Sequence, residues 1–245
     1  MTGAADAGSG GWSAPIADEG LARRDWQGAG APPLSVWTRP GTSPRAIVLI
    51  GHGGSQHRQA EFVKALARDV LERIPAYVAA IDGPAHGDRL AGDADKTREA
   101  FIQCWISPDG GTTAMTADWK AALAAVRDLD GAADLPVGYY GVSMGTAYGV
   151  PFLATEPGIK AAAIGMWEAE VGGLPHLTAA APKVLCPIHF VHREQDQFFS
   201  EAGARRLFDL LGSTDKTFVV LPGPHEETLD QLDAAAAFLV DHLTA

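Results

Sequence analysis

Along this chain, short unbroken apolar runs alternate with stretches whose apolar positions recur at helical spacing. AIVLIG at 46–51 is a continuous β-rich run bounded by glycine, the pattern of a parallel strand buried on both faces. In HRQAEFVKALARDVLER, which follows, Phe62, Val63, Leu66, Ala67, Val70 and Leu71 share one helical face. AYVAAID is the next strand, and TADWKAALAAVRDL (116–129) is a helix with Trp119, Leu123, Val126 and Leu129 inward. VGYYGV, a helix after Gly145, and the strand AAAIGMW (161–167) continue the alternation. VLCPIHFVH (184–192) reads as a strand weakened by Pro187, since proline gives no N–H to a sheet ladder. A helix near 200–211, the strand TFVVLPG and a closing helix over 227–243 complete the order, the last with Leu229, Leu232, Leu239 and Leu243 inward.

Upstream, DWQGAGAPPLSVWTRP suggests a short antiparallel hairpin at the sheet edge. Repeated strand–helix units call for a parallel sheet covered by helices on both faces, an α/β fold. Residues 88–114 and 168–182 lack a clear period and are candidates for loops over a site. No internal repeat or interdomain linker interrupts the pattern, so residues 21–245 are expected to form a single domain. The first twenty residues, rich in Gly, Ala and Ser, suggest a loose arm.

Composition narrows the partners. With 47% hydrophobic residues among 245, the chain can bury a sizeable core. A net charge of −11 without long single-sign runs argues against nucleic acid and anionic membranes, which need clustered Lys and Arg. Two cysteines, Cys104 and Cys186, do not make a disulfide framework. No apolar run reaches the length of a membrane span and the N-terminus lacks a secretory pattern, so a cytoplasmic location is expected. Phosphate-loop, dinucleotide and zinc motifs are missing, so no cofactor or metal is expected.

The chemistry centres on GVSMG, residues 141–145, where a strand passes into a helix. By chance a chain with nine serines and 28 glycines would hold about 0.1 such G-x-S-x-G matches. The strand–turn–helix context raises the signal, because glycines on both sides let a serine oxygen stand above the sheet. A serine that merely capped the helix would need neither glycine.

To act as a nucleophile, Ser143 needs a base, and the base needs an orienting acid. Of eight histidines, His225 in the Pro- and Gly-rich loop after the last strand is best placed. His189 reads as core, His57 as a cap or surface residue, His52 and His86 as turn residues beside glycines, and His192 as a possible supporting group. His176 lies in an irregular loop and His242 on the last helix. Asp196 is the favoured acid, with Glu168 as the alternative. For the oxyanion, the backbone N–H of Met144 is one donor, and the HGG stretch supplies the other, Gly54 before Gly53.

Taken together, HGG at 52–54, D-x-P-x-H-G at 82–87, GVSMG, H-x-x-x-D at 192–196 and the late PHE at 224–226 resemble the α/β-hydrolase superfamily. The order nucleophile, acid, histidine is that family's order. The resemblance spans about residues 35–245 and implies an eight-stranded, mostly parallel sheet whose second strand is antiparallel, with a minimal lid. Its compact form is similar to the serine-esterase and dienelactone-hydrolase-like branch, although dienelactone hydrolases proper carry cysteine where this chain has Ser143.

The resemblance implies a carboxylic ester hydrolase acting on a small to medium ester through an acyl-enzyme. Lactonase, thioesterase or acyltransferase chemistry on the same three residues stands as the alternative, as does a non-catalytic binding protein of this fold. Trp105, Trp167, Phe198 and Phe199 are the candidate pocket walls. Arg89 could meet a carboxylate on the substrate, but it reads more readily as a surface charge.

Overall fold

The computed structural model describes residues 10–90 and 97–245. In chain order the elements are strands β1 (Gly11–Trp12), β2 (Ile16–Asp18), β3 (Leu21–Gln27), β4 (Leu34–Thr38) and β5 (Ile47–Gly51), then helix α1 (Glu61–Arg73) and β6 (Tyr77–Ile81). Helices α2 (Thr97–Trp105) and α3 (Thr112–Arg127) precede β7 (Val137–Val142), α4 (Met144–Leu153) and β8 (Ile159–Gly165). The chain closes with β9 (Ile188–Arg193), α5 (Glu201–Leu210), β10 (Lys216–Leu221) and α6 (Leu229–Thr244).

One sheet takes all the strands, in the order β1-β3-β4-β6-β5-β7-β8-β9-β10, with β2 also on β3. From β3 onward this is the expected eight-stranded sheet. Strand β4 is antiparallel to β3 and to β6, and every later pair is parallel. The hairpin expected over 25–40 is the β3–β4 pair, displaced toward the N-terminus so that Leu21 begins it. Strands β1 and β2, two and three residues long, add to its edge from within the stretch read as a loose arm. Residues 1–9 of that arm lie outside the described residues.

Alternation along the strands divides the core in two. Ile47, Leu49 and Tyr139 face a cluster under α3, α4 and α5 with Trp119, Phe152, Phe190 and Leu207. Val48, Ile50 and Tyr140 face the other cluster, under α1 and α6, with Val63, Leu66, Val70, Leu232 and Leu239. Because both faces are covered, β5, β6 and β7 are buried at every position. This is why their sequences read as unbroken apolar runs rather than alternating ones.

Several local expectations change. Pro187 lies just outside β9, which starts at Ile188, and the Pro187 carbonyl accepts from Ala162 N–H at 2.9 Å. Leu229 points to solvent, 67% exposed: α6 begins there rather than at 227, and burial along its stripe starts only in the first turn after it. The stretch 88–114 is not a plain loop. It carries α2, and α3 starts four residues before the expected boundary, at Thr112. The stretch 168–182 holds short 3-10 turns at Val171–Gly173 and Ala181–Lys183 at its two ends. Among the described residues no helix is long and apolar enough to cross a membrane.

Candidate active site

Ser143 stands in the turn between β7 and α4 with φ 55° and ψ −122°, a conformation that L-residues with a side chain rarely adopt. The turn is pinned from every side. Ser143 N–H donates to the Gly165 carbonyl at 2.9 Å, and its own carbonyl accepts from Thr146 and Ala147 N–H. Gly165 N–H donates to Thr146 Oγ1 at 2.8 Å. Both glycines of GVSMG are required by close backbone approach. A Cβ on Gly145 would lie 2.4 Å from the Gly51 carbonyl oxygen, and one on Gly141 would lie 2.8 Å from the Gly145 carbonyl oxygen. The motif is therefore the local solution for bringing α4 against β5 while a serine is lifted clear.

The loops after β9 and β10, two parallel neighbours, are laced together. Glu194 N–H donates to the Leu221 carbonyl, Gln195 N–H to that of Gly223, and Arg193 Nε to that of Pro224 at 3.1 Å. His225 N–H is held by Gln197 Oε1 at 3.0 Å. This lacing brings Asp196 and His225 together: His225 Nδ1 donates to Asp196 Oδ2 at 2.7 Å. On the other side of the ring, Ser143 Oγ donates to His225 Nε2 at 2.9 Å. With a carboxylate as acceptor at Nδ1, the proton sits on Nδ1 and Nε2 is free to accept. Burial works against the Asp196 carboxylate. The hydrogen bond from His225 and those from Phe198 and Phe199 N–H, at 2.8 and 3.0 Å, outweigh it and hold Asp196 below the usual carboxylate range.

Glu168, the alternative acid, is committed elsewhere. Its Oε2 accepts from the N–H and the hydroxyl of Ser200 at 3.2 and 3.1 Å, at the start of α5. Ser200 in turn caps that helix by accepting from Gly203 N–H. The oxyanion candidates Met144 and Gly54 come from the turn after β7 and the loop after β5. Met144 N–H opens α4, where no intrahelical acceptor exists and the helix dipole favours negative charge. Gly54 lines the same opening as Ser143, as does Gly53, the second candidate.

Two histidines read as turn residues turn out to brace this loop. His52 Nε2 accepts from Gly83 N–H at 2.9 Å while Nδ1 donates to the Gly53 carbonyl at 2.7 Å. His86 repeats the arrangement, with Nε2 accepting from Ser55 N–H at 3.0 Å and Nδ1 donating to the Pro84 carbonyl at 2.7 Å. Burial lowers His52 to about 4 and also lowers His86, so both rings are neutral. Beneath them Asp82 accepts from the backbone N–H of Arg58 and Asp88 and pairs with the Arg58 guanidinium. His192, the possible supporting group, is instead buried with its ring 6.3 Å from Phe218. Arg89 pairs with Asp118 at 2.7 Å, as a surface charge would.

Two lobes open from the serine. The larger, about 400 Å³, is walled by Phe101, Ile102, Trp167, Val171, Phe198 and Phe199. Its walls thus come from both irregular stretches, through α2 and through Val171. Trp105 does not line it. That ring is buried 5.1 Å from Trp167 and 4.9 Å from His176, and it backs the wall from behind. The smaller lobe, about 220 Å³, is lined by Gln56, Phe62, Met166, Glu226 and Glu227. Sequence reasoning passed over Gln56 and Glu227. The one signal for Glu227 was its position two residues after His225, and nothing marked Gln56. Among the described residues, no group of three or more His, Cys, Asp or Glu is arranged to hold a metal ion.

No protein-family model and no curated protein sequence matches the chain. Solved structures do. A PEG-bound cold-adapted esterase from an Arctic intertidal metagenomic library aligns with TM-score 0.82 and 29% identity, covering 95% of this chain and 99% of that one. Dienelactone hydrolase from Anabaena variabilis aligns with TM-score 0.63 and 16% identity over 96% of this chain and 97% of its own. Est1E from Butyrivibrio proteoclasticus, with ferulic acid bound, gives TM-score 0.65 and 14% identity, covering 95% of this chain and 100% of that one. By its strand order, and by its match along nearly the full length of a solved esterase, the chain has the α/β-hydrolase fold in the compact form shared by esterases and dienelactone hydrolase.

Proposed function

We propose that the chain is a carboxylic ester hydrolase that works through an acyl-enzyme on Ser143. The observation that carries this reading is the unbroken hydrogen-bonded line from Ser143 Oγ through His225 to Asp196, open to a cleft. Ser143 Oγ attacks the ester carbonyl carbon and its proton passes to His225 Nε2. The carbonyl oxygen becomes an oxyanion facing the N–H groups of Met144 and Gly54, donors whose individual loss costs on the order of 10²–10³ in rate at such sites. His225 then returns the proton to the leaving alkoxide as the tetrahedral intermediate collapses. A water molecule, deprotonated by the same nitrogen, attacks the acyl-enzyme carbonyl, and the proton passes from Nε2 to the departing Ser143 Oγ as the acid is released. Asp196 stays ionised throughout, holds the ring in the Nδ1–H tautomer and stabilises the imidazolium.

The two lobes, about 400 and 220 Å³, suit an ester of small to medium size with one half in each. The likeness to the cold-adapted esterase, spread over nearly all of both chains, supports ester cleavage as the reaction. The test is Ser143→Ala against wild type, with nitrophenyl esters and a fluorophosphonate probe. Wild type should turn over the ester and take the label, and the variant should do neither while keeping its fold. Labelling that persists in the variant removes Ser143 from this role.

A further inference from the structure

The two lobes that meet at Ser143 differ in chemistry as well as in size. Aromatic and aliphatic side chains make most of the wall of the larger one, which also takes in Arg98, His86 and Ser55. The smaller is lined in part by Gln56, Glu226 and Glu227, and among the described residues no Lys or Arg lines it. Glu227 is fixed there rather than loosely exposed: Oε1 accepts from the Tyr140 hydroxyl at 2.8 Å, and Oε2 accepts from Gln56 Nε2 at 3.2 Å. That second bond also orients the Gln56 amide, with Nε2 toward the carboxylate. The remaining Gln56 Oε1 is buried and receives no hydrogen bond from any described residue. An orphaned acceptor of this kind costs stability unless some donor reaches it. Gly53 bridges this group and the serine: a Cβ on it would lie 3.9 Å from Glu227 Oε2 and 4.0 Å from the Ser143 Cβ.

A carboxylate with spare lone pairs and an amide oxygen without a donor together ask for a group that only donates, or that donates strongly. Placed a few atoms from the ester carbon, that group belongs to the substrate. An anionic group in the same place would face Glu226 and Glu227 with no Lys or Arg among the described lining residues to compensate.

On the hydrolase reading above, we propose that Gln56 and Glu227 form a subsite for a hydroxyl or ammonium on the shorter half of the ester. The enzyme's preferred substrates then join a bulky aryl or alkyl half, seated in the large lobe, to a short hydroxylated or aminated half. The carboxylate favours ammonium and hydroxyl over methyl, and it disfavours a carboxylate on that half.

The experiment compares isosteric esters on the wild-type enzyme and on Glu227→Gln. One series varies the alcohol: 2-hydroxyethyl and 2-aminoethyl against propyl 3-phenylpropanoate. The other varies the acyl group: benzyl glycolate and benzyl glycinate against benzyl propanoate. In the wild type, one series should show a kcat/KM at least about tenfold higher for the hydroxylated or aminated ester than for its methyl isostere, a typical yield for a hydrogen bond to a charged group. In Glu227→Gln the ammonium preference should collapse toward one. Fluorophosphonate labelling and far-UV circular dichroism of the variant report whether its site is still built.

Wild-type ratios of about one or below in both series overturn the subsite, and so does an ammonium preference that survives in a folded, labelling-competent Glu227→Gln. If that variant does not fold, the wild-type ratios decide alone. A wild type that cleaves no ester and takes no label is a different failure, that of the hydrolase reading itself.

Discussion

At Ser143 the backbone holds a residue with a side chain at φ 55° and ψ −122°, and the energetic cost can be measured by exchanging two inactive variants. Ser143→Ala and Ser143→Gly both lose the hydroxyl and its bond to His225, so their difference isolates the Cβ. At an unstrained position glycine is the worse residue by about 0.5–1 kcal/mol, because the unfolded chain gains freedom. A sparsely populated backbone conformation costs a residue with a Cβ about 1–3 kcal/mol. Strain therefore outweighs entropy, and Ser143→Gly should be the more stable of the pair by about 1 kcal/mol. For a chain of this length that is about 2–4 °C in Tm. Urea unfolding followed by tryptophan fluorescence, with equal m-values in the two variants, provides the number. An alanine variant more stable than the glycine variant by the ordinary 0.5–1 kcal/mol would refute the claim that the turn stores strain.

Further outcomes follow from the same geometry. Asp196→Asn should keep the fold and lower kcat by about 10⁴-fold, since the amide no longer selects the Nδ1–H tautomer of His225; steady-state kinetics against nitrophenyl acetate reads this. Acid should destabilise the protein through His52, which burial lowers from its ordinary 6.5 to about 4. A base whose pKa falls on folding gives full stability above pH 6.5 and loses it as pH drops from there toward 4. His52 alone is worth about 3 kcal/mol over that window. His86, His189 and His192, all lowered by burial, act in the same direction. Melting curves from pH 7 to 4 should show this, with a shallower fall in His52→Gln. Gly145→Ala, forcing a Cβ to 2.4 Å from the Gly51 carbonyl, should cost about 1–3 kcal/mol in urea unfolding and impair turnover as well. Phe198→Ala should leave stability within about 0.5 kcal/mol, because the ring is 56% exposed, yet raise KM for esters with a large apolar half.

The strand–helix alternation was legible because burial on both sheet faces writes itself as runs such as AIVLIG, and one-sided burial writes a helical stripe such as Val63, Leu66, Ala67 and Val70. Helix α2 was not, since only Trp105 among its described side chains is buried, so it carries no stripe to read. Leu229 shows a limit at a terminus: it shares the helical spacing of Leu232, Leu239 and Leu243, but as the first residue of α6 it stands beyond the core.

The site divides along the same line. G-x-S-x-G at a strand-to-helix junction is a local fact, demanded by backbone contacts among Gly51, Gly141 and Gly145, and the chain states it in five letters. The partners of Ser143 are not local. Asp196 and Glu168 were rivals on sequence position. The hydrogen bonds between the loops after β9 and β10 bring Asp196 to His225, while the start of α5 takes Glu168. Trp105 against Trp167, and Gln56 beside Glu227, were likewise settled by packing between segments far apart in the chain. Sequence alone determined the periodicities and the tight turn, because each follows from the burial and sterics of neighbouring residues. Which polar groups meet above the sheet depended on strand order and loop lacing, and these exist only once the whole chain has folded.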